Sequence, residues 1–144
     1  LNITENLIWV MIITLIMSLD NNVCGLTFDW DDLTIQDEEV IVALNNLIVE
    51  FGDESVWFRL SSSGTGLHIL IGKLMIDDAT GFPQLSPIPM TVDKQMEYRV
   101  AEKLECRGRR ISDSYRKQVG MRTSRIFQTK NGRNTGEWQK WHTV

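Results

Sequence analysis

The sequence predicts an α+β fold in a single domain, because segments with strand-like and helix-like spacing of apolar residues alternate along a short chain. With 144 residues, the chain can bury a core but has little room for accessory modules. Its hydrophobic content of 42% and its charged content of 24% are ordinary for a globular protein. We therefore expect one mixed core, built from the elements that follow.

The first predicted strand covers residues 23–31, where side chains alternate between two faces. One face carries Cys24, Leu26, Phe28 and Trp30. The other face carries Thr27, Asp29 and Asp31. A helix is expected next, because apolar residues recur at helical spacing at Val40, Ile41, Leu44, Leu47, Ile48 and Phe51. Acidic residues 37–39 suit the first turn of this helix and Gly52 suits its end.

Two further strands, Val56–Leu60 and Leu67–Ile71, flank a turn at residues 61–66 that is rich in serine and glycine. Residues 77–92 contain all three prolines of the chain, which predicts a loop. A second helix is expected from about Asp93 to Cys106, ended by Gly108. Its apolar stripe consists of Met96, Val100 and Leu104.

The last part of the chain predicts a strand at Arg125–Thr129 and a turn at Asn131–Gly132. Trp138 and Trp141 are spaced as on one helix face in the core, although they could also stack on bases of a nucleic acid. This region therefore completes the mixture of helices and strands.

Residues 1–20 contain an apolar run from Leu7 to Met17 that only Thr14 interrupts. A membrane-spanning helix needs about 20 apolar residues, and a secretory signal begins with basic residues. The run meets neither requirement. We expect residues 1–20 to form an N-terminal apolar helix or a dispensable leader, without a membrane span.

Charge is distributed unevenly between the two parts of the chain. Residues 1–98 carry three Lys/Arg against fifteen Asp/Glu, a net charge of −12. Residues 99–144 carry twelve Lys/Arg against four Asp/Glu, a net charge of +8. A basic C-terminal third suits a polyanionic partner, and a solvated basic surface is the alternative.

The two cysteines, Cys24 and Cys106, lie far apart and form no zinc-binding spacing with His68 and His142. We therefore expect no structural zinc site. Because so few cysteines occur, a reducing cytosol is the expected compartment.

Asp29 and Asp31 point to the same side of the first predicted strand, and two ionised carboxylates at this spacing repel one another. Mg²⁺ or Mn²⁺ bound between them would relieve the repulsion, because hard cations prefer oxygen ligands. The pair predicts a metal site, and an exposed acidic strand end is the alternative.

The segment Ser63-Gly64-Thr65-Gly66-Leu67-His68, with Arg59 upstream, combines features of an anion-binding turn. Glycines let backbone N–H groups approach an anion, Ser63 adds a donor, and the next strand directs His68 toward the same place. The segment is neither a P-loop nor a dinucleotide fingerprint. A hairpin turn with an incidental histidine is the alternative reading.

Asp113 lies in the basic part of the chain. It could join the metal site, or it could be the salt-bridge partner of a neighbouring cation. The surrounding cations are expected to contact phosphates, with a solvated surface as the alternative. They are Arg107, Arg109, Arg110, Arg116, Lys117, Arg122, Arg125, Lys130 and Arg133.

The order of these motifs resembles the archaeo-eukaryotic primase superfamily, which includes small primase-polymerases. Asp29-Trp30-Asp31 is similar to its first motif, and Ser63 to His68, with the upstream Arg59, is similar to its second. Ile111-Ser112-Asp113 is similar to its third motif, an acid at a hydrophobic strand end. The resemblance spans residues 23–132, including the basic stretch that follows the third motif.

The resemblance implies an RRM-like, mainly antiparallel sheet flanked by helices, with residues 21–144 as the primase-polymerase-like catalytic domain. It implies a template-directed nucleotidyltransferase of DNA replication, with Mg²⁺ or Mn²⁺ held by the catalytic residues Asp29, Asp31 and Asp113. The expected nucleotide-binding residues are Arg59, Ser63, Gly64, Gly66, His68, Arg125 and Lys130. The expected nucleic-acid-binding residues are Arg109, Arg110, Arg116, Lys117, Arg122 and Arg133.

The implied partners are a single-stranded DNA or primed template, an NTP or dNTP, and a helicase or other replication protein. By analogy, the short chain suits a plasmid- or virus-encoded member. Two alternatives keep the same residues: a non-catalytic RRM-like module that binds nucleic acid or initiates replication, and an enzyme that cleaves phosphodiesters.

Overall fold

The computed structural model describes residue 8 and residues 23–143. Apart from Ile8, the helix or leader expected over residues 1–20 lies outside the described residues. In residues 23–143 the helices are α1 (Glu38–Phe51), α2 (Val92–Ala101) and α3 (Arg107–Gln118). The strands are β1 (Val23–Trp30), β2 (Val56–Leu60), β3 (Leu67–Ile76), β4 (Pro83–Pro87), β5 (Pro89–Thr91), β6 (Thr129–Lys130), β7 (Arg133–Asn134) and β8 (Gln139–Lys140).

The main sheet has the strand order β5-β1-β3-β2-β8, and β4 pairs with the outer part of β3. Every strand pair in residues 23–143 is antiparallel. The predicted α+β fold with a mainly antiparallel sheet and flanking helices is therefore confirmed. Strands β1 and β2 lie on either side of β3 and are joined through α1, which is a split β-α-β unit.

The RRM-like arrangement stays a prediction, because the edge strand differs in chain order. In the β-α-β-β-α-β pattern the last strand follows the second helix. Here the strand next to β1 is β5, which comes before α2. The order β1-β3-β2 in the middle of the sheet agrees with an RRM-like sheet.

The hydrophobic core lies on the sheet face that α1 covers. The alternation of β1 places Leu26, Phe28 and Trp30 in this core, each at most 1% exposed. Helix α1 contributes its buried stripe of Val40, Ala43, Leu44, Leu47 and Ile48. The sequence prediction of β1 and α1 is therefore confirmed, although Ile41 and Phe51 of the expected stripe are only partly buried. In the part of the chain that the structure describes, no helix combines the length and apolarity needed to cross a membrane.

The loop prediction for residues 77–92 was wrong in part. Pro83–Pro87 forms β4, which pairs with residues 72–76 of β3, and Pro89–Thr91 forms β5, which pairs with residues 23–25 of β1. Both strands extend the edges of the main sheet, where proline is tolerated because the lost N–H need not serve a neighbouring strand.

The single helix expected from Asp93 to Cys106 was also wrong. Helix α2 ends at Ala101, and α3 begins at Arg107 after an extended residue, Glu102. The break lets Glu105 turn inward, where its Oε1 accepts a hydrogen bond of 2.8 Å from the backbone N–H of Asp29. The expected apolar stripe fails as well, because Val100 is 60% exposed while Gln95 and Arg99 are fully buried.

Two C-terminal predictions need correction. Of the expected strand Arg125–Thr129, only Thr129 is in strand conformation, where it forms β6 of the β6-β7 hairpin together with Lys130. The turn at Asn131–Gly132 is confirmed, with positive φ at both residues, as a two-residue hairpin turn prefers. Trp138 and Trp141 flank strand β8 and share no helix.

Candidate functional site

The sheet face opposite the core carries a row of three polar side chains, one from each central strand. The strand register pairs Asp29 of β1 with His68 of β3, and His68 with Arg59 of β2. Directly opposed residues in antiparallel strands have neighbouring side chains on one face. Residues distant in sequence are therefore brought together by strand pairing alone.

His68 is held between its two neighbours in a defined orientation. Arg59 Nε donates a hydrogen bond of 3.1 Å to His68 Nδ1, while His68 Nε2 lies 3.9 Å from Asp29 Oδ1. Burial lowers the pKa of His68 to about 4, and the positive charges of Arg59 and Arg109 contribute to the decrease. The imidazole is thus neutral at pH 7, and because Nδ1 accepts a hydrogen bond, its proton is on Nε2.

Arg59 is buried behind His68. Its guanidinium carbon lies 4.3 Å from the centre of the Trp138 ring, which is a cation–π distance. Trp138 thereby packs on the residue that orients the histidine, in contrast to Trp141, which packs edge-on against Phe58 in the core. Arg59 was expected to bind nucleotide, and the structure places it against His68.

Asp29 and Asp31 lie at the end of β1 with a residue that the sequence had not suggested. One ligand atom from each of Asp29, Asp31 and Cys106 lies within 4.8 Å of the others. Burial raises the pKa of Asp29 to about 6, with a further contribution from the charge of Asp31. A divalent cation at this position would relieve both the repulsion and the cost of burial.

Cys106 reaches the acid pair because α2 ends early. Its backbone N–H donates a hydrogen bond of 2.8 Å to the carbonyl oxygen of Asp29. Burial raises the pKa of its thiol, and a hydrogen bond to Asp31 adds to the increase. No spacing in the sequence indicated this contact, because it depends on where a helix stops more than 70 residues after β1.

Gly66 fixes the distance between the turn after β2 and the end of β1. A Cβ atom at this glycine would lie 2.8 Å from the carbonyl oxygen of Trp30 and 3.4 Å from the Cα of Asp31. Only glycine permits such an approach without moving backbone. Gly64 has a φ of +75° and forms the turn itself, and Ser63 bonds with the hydroxyl groups of Ser61 and Thr65.

Asp113 lies on α3, and its expected position at a strand end was wrong. Its Oδ2 accepts hydrogen bonds from Arg99 Nη1 and from the backbone N–H of Ser124, the latter at 2.9 Å. Within the described residues, the group that could hold a metal consists of Asp29, Asp31 and Cys106 and does not include Asp113. Asp113 is therefore found as the salt-bridge partner of a cation, Arg99, which was the alternative to a metal ligand.

A buried charge network, formed by Arg99, Glu105, Arg109 and Asp113, connects α2 and α3 to β1. Arg99 Nε donates to Glu105 Oε2 at 3.0 Å, and Arg109 Nη1 lies 3.3 Å from the same oxygen. Arg109 Nη1 also donates to the carbonyl oxygen of Thr27 at 3.0 Å. Two positive and two negative groups balance one another, so each is paired despite its burial.

A cleft of about 370 Å³ opens over the polar face of the sheet. Its volume lies in the range of small-molecule sites. Eight of the predicted site residues line it: Asp29, Asp31, Ser63, His68, Arg109, Asp113, Arg125 and Lys130. A larger cavity of about 850 Å³ lies between α1 and the end of α2 and is lined by none of the predicted site residues.

The remaining predicted residues lie outside the lining of this cleft. They are Arg59, Gly64, Gly66, Arg110, Arg116, Lys117, Arg122 and Arg133. Lys117 pairs with Asp93, and Arg116 Nε donates a hydrogen bond of 2.6 Å to the carbonyl oxygen of Arg122.

Arg109 lines the cleft but belongs to the buried charge network, so its guanidinium already binds protein groups.

Comparison of the chain with protein-family models, with curated proteins and with solved structures returned no match.

Proposed function

We propose that the chain is a metal-dependent nucleotidyltransferase of the primase-polymerase kind. One observation carries the proposal: a carboxylate pair, a neutral buried histidine and two cations, Arg125 and Lys130, line the same cleft. Acidic groups suit divalent ions, and the cations suit the phosphates that such ions accompany. The resemblance in motif order supports the same chemistry.

The residues present fit a hard divalent ion held mainly by Asp29 and Asp31. Carboxylate oxygens are the ligands that Mg²⁺ and Mn²⁺ prefer, whereas the raised pKa of the Cys106 thiol disfavours the thiolate form. We therefore assign the two aspartates as ligands and Cys106 as their neighbour. When bound, the ion would activate a hydroxyl nucleophile and neutralise charge on the phosphates.

His68 would act as a hydrogen-bond donor to the triphosphate. Its proton is on Nε2, the atom that faces Asp29, so it can donate to a phosphate oxygen without carrying a charge. Arg59 holds this tautomer and is a positioning residue in the proposal. Lys130 would supply positive charge to the triphosphate, and Arg125 lines the same cleft as a second cation.

The second candidate is a non-catalytic module that binds nucleotide or nucleic acid. It is favoured by the position of Asp113, whose carboxylate is occupied by Arg99 and Ser124. Without Asp113, the metal site has two carboxylate ligands, Asp29 and Asp31, whereas the resemblance implies three. Both candidates use the same cleft and differ in whether a phosphodiester bond forms.

A primer-extension assay separates the candidates. A labelled primed template is incubated with dNTPs and Mn²⁺, for the unsubstituted protein and for Asp29→Asn, Asp31→Asn and Asp32→Asn. We expect extension that Asp29→Asn and Asp31→Asn abolish. Asp32→Asn is the matched control, because Asp32 is an adjacent exposed acid with a φ of 55°, which asparagine tolerates.

Three other outcomes would reject the proposal as stated. Shortening of the primer that depends on Asp29 would identify a phosphodiester-cleaving enzyme. Salt-sensitive binding of the template without any change in its length would identify a binding module. Extension that survives both aspartate substitutions would place the activity elsewhere.

A further inference from the structure

Residues 123–127, here named the cleft loop, have no regular secondary structure but are fixed by hydrogen bonds at their centre. The backbone N–H of Thr27 donates to Ser124 Oγ at 3.2 Å, and Thr27 Oγ1 donates to the carbonyl oxygen of Ser124 at 3.0 Å. Ser124 has a φ of 59°, which is uncommon for a residue with a side chain. These bonds hold the loop against β1 in one conformation.

The buried charge network fixes the same loop from the other side. Asp113 accepts a hydrogen bond from the backbone N–H of Ser124 at 2.9 Å, and Arg109 Nε donates to the carbonyl oxygen of Arg125 at 3.2 Å. Buried charges thus bind backbone groups of an irregular segment at the edge of the cleft. Such a loop is preorganised, so a ligand that contacts it need not order it first.

Phe127, at the end of the cleft loop, lines the cleft and is 56% exposed. The guanidinium carbon of Arg125 lies 5.3 Å from the centre of its ring. The Nε of Arg125 is buried without a hydrogen-bond partner in the described part of the chain. An aromatic ring and a planar guanidinium on a fixed loop, both beside the phosphate-binding groups, form a surface that suits a flat heterocycle.

We propose that Phe127 and Arg125 form a stacking platform for the base of a nucleoside triphosphate. The inference rests on the proposed function for the position of the triphosphate, which would meet Lys130, His68 and the metal. The base would then lie at the end of the cleft that the cleft loop forms. Because every base has a π face, the platform accepts all four bases and leaves their selection to a template.

The platform predicts that the cleft distinguishes a nucleoside triphosphate from inorganic triphosphate. Binding of ATP and of inorganic triphosphate is measured by isothermal titration calorimetry with Mn²⁺ present and template absent. Stacking of one base on an aromatic side chain corresponds to about a 5- to 160-fold difference in Kd. We expect the unsubstituted protein to prefer ATP by a factor in this range.

Four variants test the role of the ring. Phe127→Ala and Phe127→Leu are expected to bind ATP and inorganic triphosphate with similar Kd values, because both lack a π face. Phe127→Trp is expected to retain the preference. Phe82→Ala is the matched control, because Phe82 is 71% exposed and lies on the β3-β4 connection, outside the cleft.

Three results would overturn the platform. The first is that the unsubstituted protein shows no preference for ATP. The second is that Phe127→Ala weakens the affinity for ATP and for inorganic triphosphate by the same factor. The third is that Phe127→Ala retains the full preference for ATP. This binding test does not depend on catalysis. If the preference for ATP depends on Phe127 but the protein does not extend a primer, only the proposed transferase activity is rejected. Primer extension with unchanged ATP binding in Phe127→Ala would reject only the platform.

Discussion

Arg59 donates its Nε hydrogen to Nδ1 of His68 across two neighbouring strands, at 3.1 Å. The bond determines which nitrogen of the imidazole carries the proton, and it directs the N–H of Nε2 toward Asp29. It also places a positive charge beside His68, which opposes its protonation. A buried arginine thus controls both the tautomer and the charge of the histidine.

Arg59→Met should raise the pKa of His68 from about 4, because the substitution removes a neighbouring positive charge. The pKa should stay below the ordinary value of 6.5, since burial is the larger cause of the decrease. NMR titration of the imidazole measures the change. Lys73→Met, at an exposed position on β3, is the control, and an unchanged titration in Arg59→Met would contradict the role of the bond.

Asp29 and His68 should have opposite effects on the pH dependence of stability. The pKa of Asp29 is raised from 3.8 to about 6, so its contribution to stability is lost as the pH rises through that window. The pKa of His68 is lowered from 6.5 to about 4, so its contribution is lost as the pH falls. The two contributions have opposite signs, so they partly offset one another.

Single substitutions should reveal the two effects. Relative to the unsubstituted protein, Asp29→Asn removes the aspartate contribution, so the change in the free energy of unfolding from pH 4 to pH 6.5 should be more positive. Relative to the same reference, His68→Gln removes the histidine contribution, so the change from pH 4 to pH 6 should be more negative. Urea unfolding at a series of pH values provides the measurement. The same slope in both variants would rule out the assigned shifts.

Metal binding should stabilise the protein in a way that depends on both aspartates. With Mn²⁺ at about 100 times its Kd, the free energy of unfolding should rise by about 2.7 kcal/mol at pH 7.5. Thermal unfolding should show no gain in Asp29→Asn or Asp31→Asn and a full gain in Asp32→Asn. The gain should shrink at pH 5, because the proton on Asp29 competes with the ion.

Gly66→Ala should disturb the end of β1. The added Cβ would lie 2.8 Å from the carbonyl oxygen of Trp30, so the backbone beside Asp31 must move. We expect a loss of about 1–3 kcal/mol in stability and a weaker Mn²⁺ effect on the melting temperature. Gly108→Ala, on helix α3 with only Cys106 Sγ at 4.0 Å, should be neutral or stabilising. Equal behaviour of the two variants would contradict the assigned role of Gly66.

Asp113→Asn should destabilise the protein whether or not metal is present. The substitution leaves the fully buried guanidinium of Arg99 with less compensating charge, at a cost of about 3 kcal/mol. Asp93→Asn removes the exposed partner of Lys117 and should cost less than about 1 kcal/mol. Urea unfolding with and without Mn²⁺ measures both. A loss seen only with Mn²⁺ would make Asp113 a metal ligand after all.

The sequence predicted the elements in which apolar periodicity and burial agree. Strand β2 was predicted at Val56–Leu60 and is found there, and β1 and α1 were predicted to within two residues. Strand β3 continues to Ile76, five residues beyond the prediction, because its outer half pairs with β4. Strands β4 and β5 were not predicted, because their prolines were interpreted as marking a loop, although proline also occurs in edge strands.

The second half of the chain was predicted poorly because polar groups direct its packing. Helix α2 buries Gln95 and Arg99, so the apolar stripe that includes Val100 indicates the wrong face of this helix. The convergence of Asp29, His68 and Arg59 followed from adjacent strands and was within reach of sequence reasoning. The placement of Cys106 and Phe127 depends on a helix break and an irregular loop, which leave no periodic signal.

The buried charge network has a consequence for random mutagenesis. Because Arg99, Glu105 and Asp113 hold the scaffold around the cleft, a library screened for the proposed activity should contain inactive clones substituted at these positions as well as at Asp29 and Asp31. Soluble expression distinguishes the two kinds of clone: scaffold defects should accumulate in inclusion bodies, while defects in the chemistry should purify normally.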